Sequence, residues 1–152
     1  MSTSFISVHP ACFKSSGAGT PARNQKDVDS FSFLALDFDP TTDEQANHHF
    51  PVPFCESATT IPNGLFWRCA ATSNAVRWNH NADADLNSTT VSFTTASATD
   101  TAVGTTLFQN ATTASPAVDP TADRMILSQI QRDPDHAGDT LSGEDAQFMG
   151  DY

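Results

Sequence analysis

The sequence has few basic residues and no long apolar run, and each shortage excludes a class of protein. Lysine and arginine together number 7 against 18 aspartate and glutamate residues, and no lysine follows Lys26. The phosphate backbone would repel so acidic a body, so no nucleic-acid partner is expected. No apolar stretch is long enough for a membrane-spanning helix, so no membrane partner is expected either. The first residues lack the basic-then-apolar pattern of a secretion signal, which argues against export by that route.

Cysteine is also scarce, with only Cys12, Cys55 and Cys69. Three cysteines at irregular spacing predict neither a disulfide framework nor a zinc knuckle. We predict small buried thiols in a reducing compartment, and a bridge between Cys55 and Cys69 remains an alternative. The histidines are scattered, and no G-x-S-x-G or comparable context occurs. The sequence therefore predicts no catalytic residue, no metal site and no cofactor.

Two acidic stretches could hold a hard cation, because their carboxylates are closely spaced. One contains Asp133, Asp135 and Asp139, and the other contains Asp37, Asp39, Asp43 and Glu44. Calcium takes six to eight oxygen ligands from such loops, but neither stretch fits the twelve-residue calcium loop. We therefore favour solvated turn carboxylates over a calcium site.

Short strands are the secondary structure that the sequence does indicate. Apolar side chains alternate with polar ones at a period of two, which is typical of half-buried strands. Strands are predicted at 31–38, 48–54, 61–71, 75–80, 125–130 and 146–152, with a further strand marked by Val91 and Phe93. Segment 99–110 is ambiguous, and 112–123 is predicted to be a loop. Trp67 and Trp78 are expected to anchor the core, since each buries a large area.

About seven or eight short strands joined by polar turns predict an all-β fold, an antiparallel β-sandwich of jelly-roll type. Asp39 and Pro40 are expected to open one of the turns, with Asp39 accepting backbone hydrogen bonds. Residues 30–152 would form this domain.

Residues 1–29 differ from the rest and predict an extended N-terminal docking arm. Residues 1–26 carry three basic residues and no acid, whereas the remainder carries four arginines and all 18 acids. Apolar anchors combined with positive charge suit an acidic partner surface, although a disordered tail is the alternative. The predicted docking residues are Phe5, Ile6, Val8, Phe13, Lys14, Arg23 and Lys26.

Four segments resemble a group of small virion-associated proteins of tailed phages, many of them marine. LDFDPTTDE at 36–44 resembles their DFDATTDE segment, and LFW at 65–67 is similar to the end of their TAQFYW strand. AVRWNHN at 75–81 is similar to a VVWGLQA strand, and 130–152 is similar to the family's end, FRVYRDPSDAADTLAADARLLGVKLEY. The resemblance covers 31–152 and leaves the arm unmatched, and Pro62 and Asp151 depart from the family pattern.

The resemblance implies a jelly-roll virion component without catalytic residues. Together with the charge split, it predicts a non-enzymatic structural protein, a capsid decoration or head surface subunit attached through its arm. The expected partners are the major capsid protein or other virion proteins, in a homo-oligomer with a trimer favoured by analogy. The expected location is the virion, assembled in the host cytoplasm. The alternative is a tail or fibre-associated module that binds glycans.

Overall fold

A computed structural model of the chain describes residues 13, 19–28, 31–51, 63–84, 90–104, 109–113 and 125–151. These residues form nine strands: β1 (Ala22–Val28), β2 (Phe31–Phe38), β3 (Glu44–Pro51), β4 (Asn63–Arg68), β5 (Ala75–Asp83), β6 (Thr94–Thr101), β7 (Gln109–Thr113), β8 (Met125–Arg132) and β9 (Ala146–Asp151). Within these ranges, no helix has both the length and the apolar character needed to span a bilayer.

The strands form two antiparallel sheets that pack as a sandwich. The order is β1-β2-β9-β4-β7 in the five-stranded sheet and β3-β8-β5-β6 in the four-stranded sheet. From β2 to β9 every connection passes from one sheet to the other, except the β5–β6 hairpin. This order is that of the eight-stranded jelly roll, with β1 added at one edge. The predicted fold class is therefore confirmed.

The core lies between the sheets and is rich in aromatic side chains. Trp67 on β4 and Trp78 on β5 are fully buried, as predicted, and their ring centroids lie 6.0 Å apart. Phe38 and Phe148 meet Trp78 with centroid distances of 5.3 and 6.4 Å. Cys69 is buried there as a free thiol, so it does not form the alternative bridge. Cys12 and Cys55 lie outside the described residues.

The N-terminal segment differs from the predicted arm wherever it is described. All of β1 pairs with β2, from Ala22 opposite Asp37 to Val28 opposite Phe31. Phe13 is fully buried, and its ring packs edge-on against Phe148 at 5.2 Å. The boundary between residues 29 and 30 is therefore corrected, because Phe13 and β1 belong to the sandwich. β1 could not be predicted from the sequence, because apolar and polar residues do not alternate within it.

Gly19 fixes the same segment at a second point. Its backbone has a positive φ of 80°, and a Cβ there would lie 2.5 Å from the carbonyl oxygen of Asp43. Gln45 N donates to Gly19 O at 2.9 Å. Only glycine allows both this conformation and this close approach, so the segment is held against the start of β3.

Several strand ends also differ from the sequence prediction. β3 begins at Glu44 instead of residue 48, and β4 ends at Arg68, three residues before the end of the predicted strand 61–71. β6 begins after Val91 and Phe93, so these two apolar residues precede the strand they were expected to mark. The turn at Asp39 is confirmed, because its carboxylate accepts from Thr41 N and Thr41 Oγ1, both at 2.6 Å. These hydrogen bonds lower the pKa of Asp39.

Candidate binding groove

The outer face of the four-stranded sheet carries a groove of about 350 Å³. Leu127 and Gln129 of β8 form its floor, because they point outward while Ile126, Ser128 and Ile130 alternate inward. The edge strand β3 forms one wall, and the segment before β6 forms the other. The lining residues are Asn47, His48, His49, Val91, Phe93, Leu127, Ser128 and Gln129.

The wall made by Val91 and Phe93 is held in place by β5. Asp83 is 6% exposed, and its Oδ2 accepts from Ser92 N at 2.7 Å. Asp83 lies directly opposite Leu127, so this bond fixes the segment next to the groove floor. Phe93 nevertheless remains 38% exposed and Val91 50% exposed. The groove therefore presents apolar surface on a segment with a defined position.

A chain of side-chain hydrogen bonds crosses the four strands at the groove. Thr95 Oγ1 donates to Asn81 Oδ1 at 2.6 Å, and Asn81 Nδ2 donates to Gln129 Oε1 at 2.7 Å. Gln129 Nε2 then donates to Asn47 Oδ1 at 2.9 Å, on the groove wall. The donors all point from β6 towards β3, so each amide has one fixed orientation. A fixed network of this kind pre-organises the polar groups of a binding surface.

A buried polar layer lies behind the groove floor, inside the sandwich. His48, Ser128 and His80 occupy it on β3, β8 and β5, and His80 Nε2 lies 2.9 Å from Ser128 Oγ. The Nδ1 atoms of His48 and His80 are both buried and have no hydrogen-bond partner among the described residues. The layer separates the main hydrophobic cluster from a smaller one that contains Ala82 and Ile126.

Burial disfavours the charged form of both histidines. It lowers the pKa of His80 to about 4, and burial followed by the charge of neighbouring His49 lowers the pKa of His48. An unfolded histidine binds a proton near pH 6.5, so the unfolded chain gains protons first as the pH falls. We expect the free energy of unfolding to decrease by about 2 kcal/mol between about pH 7 and pH 5, from His80 alone.

Denaturant unfolding at a series of pH values tests this expectation, with His80→Asn as the comparison. The variant should show a flatter dependence on pH, whatever its stability at neutral pH. Burial also raises the pKa of Asp43, Glu44 and Asp145. These groups stabilise the folded state only as the pH falls further, into the range where carboxyl groups titrate. An identical pH slope in both proteins would contradict the assignment to His80.

The structure places three of the seven predicted docking residues, and all three contact this chain's own sandwich. Phe13 lies in the core, and the guanidinium of Arg23 donates to the carbonyl oxygen of Phe13. Lys26 Nζ lies 2.6 Å from Asp37 Oδ2. Phe13 is therefore corrected from a docking residue to a core residue. The other four lie outside the described residues, namely Phe5, Ile6, Val8 and Lys14.

The acidic loop after β8 has a structural role at one of its carboxylates. Asp139 pairs with Arg132, with Arg132 Nε to Asp139 Oδ2 at 3.0 Å, and it also accepts from Arg77 N at 3.0 Å. Asp133 is close to Asn79 Nδ2, at 3.5 Å. Across the described ranges, no group of three or more His, Cys, Asp or Glu side chains is arranged to hold a metal ion.

Sequence reasoning missed the groove, because its polar residues resemble ordinary surface residues. The one available signal was the repetition of amides at outward positions, with Asn79 and Asn81 on one strand and Gln129 and Gln131 on another. Their alignment depends on the register between β5 and β8, which pairs Asn81 with Gln129. That register joins residues far apart in the chain and cannot be derived from a local pattern.

Comparison with known proteins gives one structural likeness. No protein-family model and no curated protein matches the chain. The carbohydrate-binding module TmCBM61, solved in complex with β-1,4-galactotriose, aligns with a TM-score of 0.45 and 10% sequence identity. The alignment covers 80% of this chain and 68% of the module. A likeness at this level carries no argument about function.

Proposed function

We propose that this chain is a non-catalytic recognition module that binds carbohydrate in the groove on its four-stranded sheet. The observation that carries the proposal is the pairing of exposed Phe93 with the fixed amide of Gln129 across one groove. A jelly roll alone is no argument, because the fold serves both capsid and lectin domains, so function has to be argued from the site.

The two surfaces of the groove match the two surfaces of a sugar ring. One face of many pyranose rings exposes C–H groups, which pack on an aromatic side chain such as Phe93. The ring edge carries hydroxyl groups that both donate and accept hydrogen bonds, and a side-chain amide such as that of Gln129 offers both functions. Small-molecule sites combine a mostly apolar lining with a few placed polar groups in the same way.

The proposal includes no chemical step. Glycoside hydrolysis generally needs two carboxyl groups that flank the scissile bond. The lining consists of amide, imidazole, hydroxyl and apolar side chains, and no aspartate or glutamate is among the lining residues described. The groove is therefore suited to holding a saccharide, not to cleaving it.

Phe93→Ala gives the direct test, with Phe66→Ala as its matched control. The two phenylalanines are 38% and 37% exposed, but Phe66 lies on β4 of the other sheet. An array of neutral and acidic oligosaccharides is screened first, and the best probe is then titrated by calorimetry. We expect Phe93→Ala to weaken binding by roughly 10-fold to 100-fold, since it removes the stacking surface.

Phe66→Ala should leave the affinity unchanged. Two results would contradict the proposal: no retained saccharide anywhere on the array, or equal losses in the two variants. Binding of an apolar peptide in place of a saccharide, lost in Phe93→Ala, would assign the groove to a protein partner.

A second candidate is a virion surface subunit, favoured by where the phage-like segments fall. LDFDPTTDE runs from the end of β2 into β3, LFW lies in β4, and AVRWNHN lies in β5. The C-terminal segment begins in β8 and includes β9. On this proposal the chain forms a symmetric oligomer on a capsid. Co-sedimentation with particles that lack the chain tests it, and full recovery in the supernatant would count against a head position.

A further inference from the structure

The groove lies on a strongly acidic protein, whose formal net charge is −11. Its described lining residues include neither lysine nor arginine. Of the described basic residues, Arg23, Lys26 and Arg68 belong to the other sheet. Arg77 lies on β5 beside Asp133, beyond the far end of β8 from Leu127. Arg132 ends β8 at the far end from Leu127 and is fully buried. An anionic ligand would therefore meet no compensating charge on these residues.

A buried carboxylate adds a specific repulsion next to the floor. Asp83 faces outward on β5 opposite Leu127, and its carboxylate lies behind the wall formed by Val91 and Phe93. Charges interact more strongly in such partly dehydrated positions than in open water. A second negative charge placed in the groove is therefore disfavoured. Like-charge juxtaposition is a common way to exclude a wrong ligand.

The polar groups that remain are suited to uncharged hydroxyl groups. Gln129 Nε2 donates one of its two hydrogens to Asn47, and the other has no acceptor among the described residues, so it can serve a ligand. An amide can also accept from a hydroxyl through the second lone pair of its oxygen. A carboxylate or sulfate only accepts hydrogen bonds, so it could use the N–H of the Gln129 amide but not its carbonyl oxygen.

We infer that the groove selects neutral saccharides and rejects their acidic counterparts, through the carboxylate of Asp83 and the absence of lysine and arginine from its described lining. This inference rests on the proposed carbohydrate function and names the ligand class of that site. It also assigns Asp83 a part in specificity, beyond its part in holding Ser92.

The test uses pairs of probes that differ only in charge. Each neutral oligosaccharide bound on the array is titrated beside the same oligosaccharide with one hydroxymethyl group oxidised to a carboxylate. We expect the neutral member to bind at least about tenfold more tightly at low salt. The ratio should fall at high salt, because ions screen the repulsion.

Asp83→Asn is the informative variant, since an amide oxygen can still accept from Ser92 N. The ratio of the two affinities should fall towards one in this variant. Asp133→Asn, which removes a carboxylate beyond the other end of β8, should leave the ratio unchanged. The salt dependence of the unmodified chain gives an independent measurement if Asp83→Asn is unstable.

The possible failures are distinguishable. If no saccharide of either class binds, the proposed function itself is wrong. If saccharides bind but the acidic member equals or exceeds the neutral one at low salt, only the selection for neutral ligands is overturned. Arg124 precedes β8 outside the described residues, so Arg124→Gln is included. Loss of acidic binding in that variant would identify a cation that reverses the selection.

Discussion

Replacing Arg132 with methionine is expected to lower the free energy of unfolding by about 4 kcal/mol. Arg132 is fully buried, and all five N–H groups of its guanidinium have an acceptor. Nε and one terminal nitrogen pair with the two oxygens of Asp139, at 3.0 and 3.1 Å. The other donors reach the carbonyl oxygens of Phe38, Glu144 and Leu141. Methionine fills similar space but removes the counter-charge of the buried Asp139 carboxylate and the donors to three carbonyl groups.

Arg132 has this large effect because it joins three parts of the fold. It ends β8, it contacts the end of β2 through Phe38, and it fixes the loop 133–145 that leads to β9. Its loss should therefore loosen the order of both sheets at one end of the sandwich. Thermal unfolding should shift downward by roughly 8–16 °C for a chain of this size.

Three further variants separate the causes of this loss. Arg132→Lys keeps the charge but cannot reproduce the planar fork, so it should also be clearly destabilised. Arg132→Met combined with Asp139→Asn should be more stable than Arg132→Met alone, because no unpaired charge remains buried. Arg68→Lys is the control, since Arg68 is only half-buried and should cost about 1 kcal/mol or less. If Arg132→Lys is as stable as the unmodified chain, the five hydrogen bonds of the guanidinium are not the source of its stabilising effect.

The sequence could predict strands in which large apolar side chains alternate. β5 shows this clearly, because Val76 and Trp78 point into the core with polar residues between them. β6 could not be predicted in the same way, because it reads TTASATDT and its buried position Ala96 is small. Its apolar neighbours Val91 and Phe93 precede it and serve the groove instead. Local alternation identifies a strand only when the strand itself supplies the apolar surface.

Interactions between distant residues could not be predicted. In the sequence, Arg132 resembles the first residue of a polar loop. The neighbouring residues do not indicate that Phe38 O and Asp139 will accept its hydrogen bonds. The same limit applies to Asn81 and Gln129, which are polar residues in unrelated segments until the sheet register aligns them. A buried polar residue is defined by its partners, so its sequence context alone resembles that of a solvated residue.

Deleting residues 1–27 is expected to lower the free energy of unfolding by about 5 kcal/mol, a result opposite to that expected of a detachable arm. Loss of the buried Phe13 ring alone should cost about 3–5 kcal/mol, because it leaves a cavity beside Phe148. The deletion also removes almost all of β1, including Lys26, whose ammonium group pairs with buried Asp37. β2 then becomes an exposed edge.

Phe13→Ala isolates the core contribution, and denaturant unfolding measures it. We expect a loss of about 3–5 kcal/mol there, whereas Phe66→Ala, at an exposed phenylalanine, should cost about 1 kcal/mol or less. A chain of residues 13–152 keeps every N-terminal contact named above, so it should stay close to the full chain in stability. Equal stability of 28–152 and 1–152 would show that Phe13 and β1 contribute nothing to the fold.

The same three chains, 1–152, 13–152 and 28–152, can also be used to measure docking by the N-terminal residues. If 28–152 fails to co-sediment with particles, unfolding explains the failure as well as lost docking does. Residues 13–152 lack Phe5, Ile6 and Val8 but keep Phe13 and β1, so this chain separates the two causes. Attachment by 1–152 and not by 13–152, at equal stability, would assign docking to the first twelve residues. Equal attachment by both would exclude Phe5, Ile6 and Val8 from the docking surface and leave Lys14 and the sandwich as the candidates for binding.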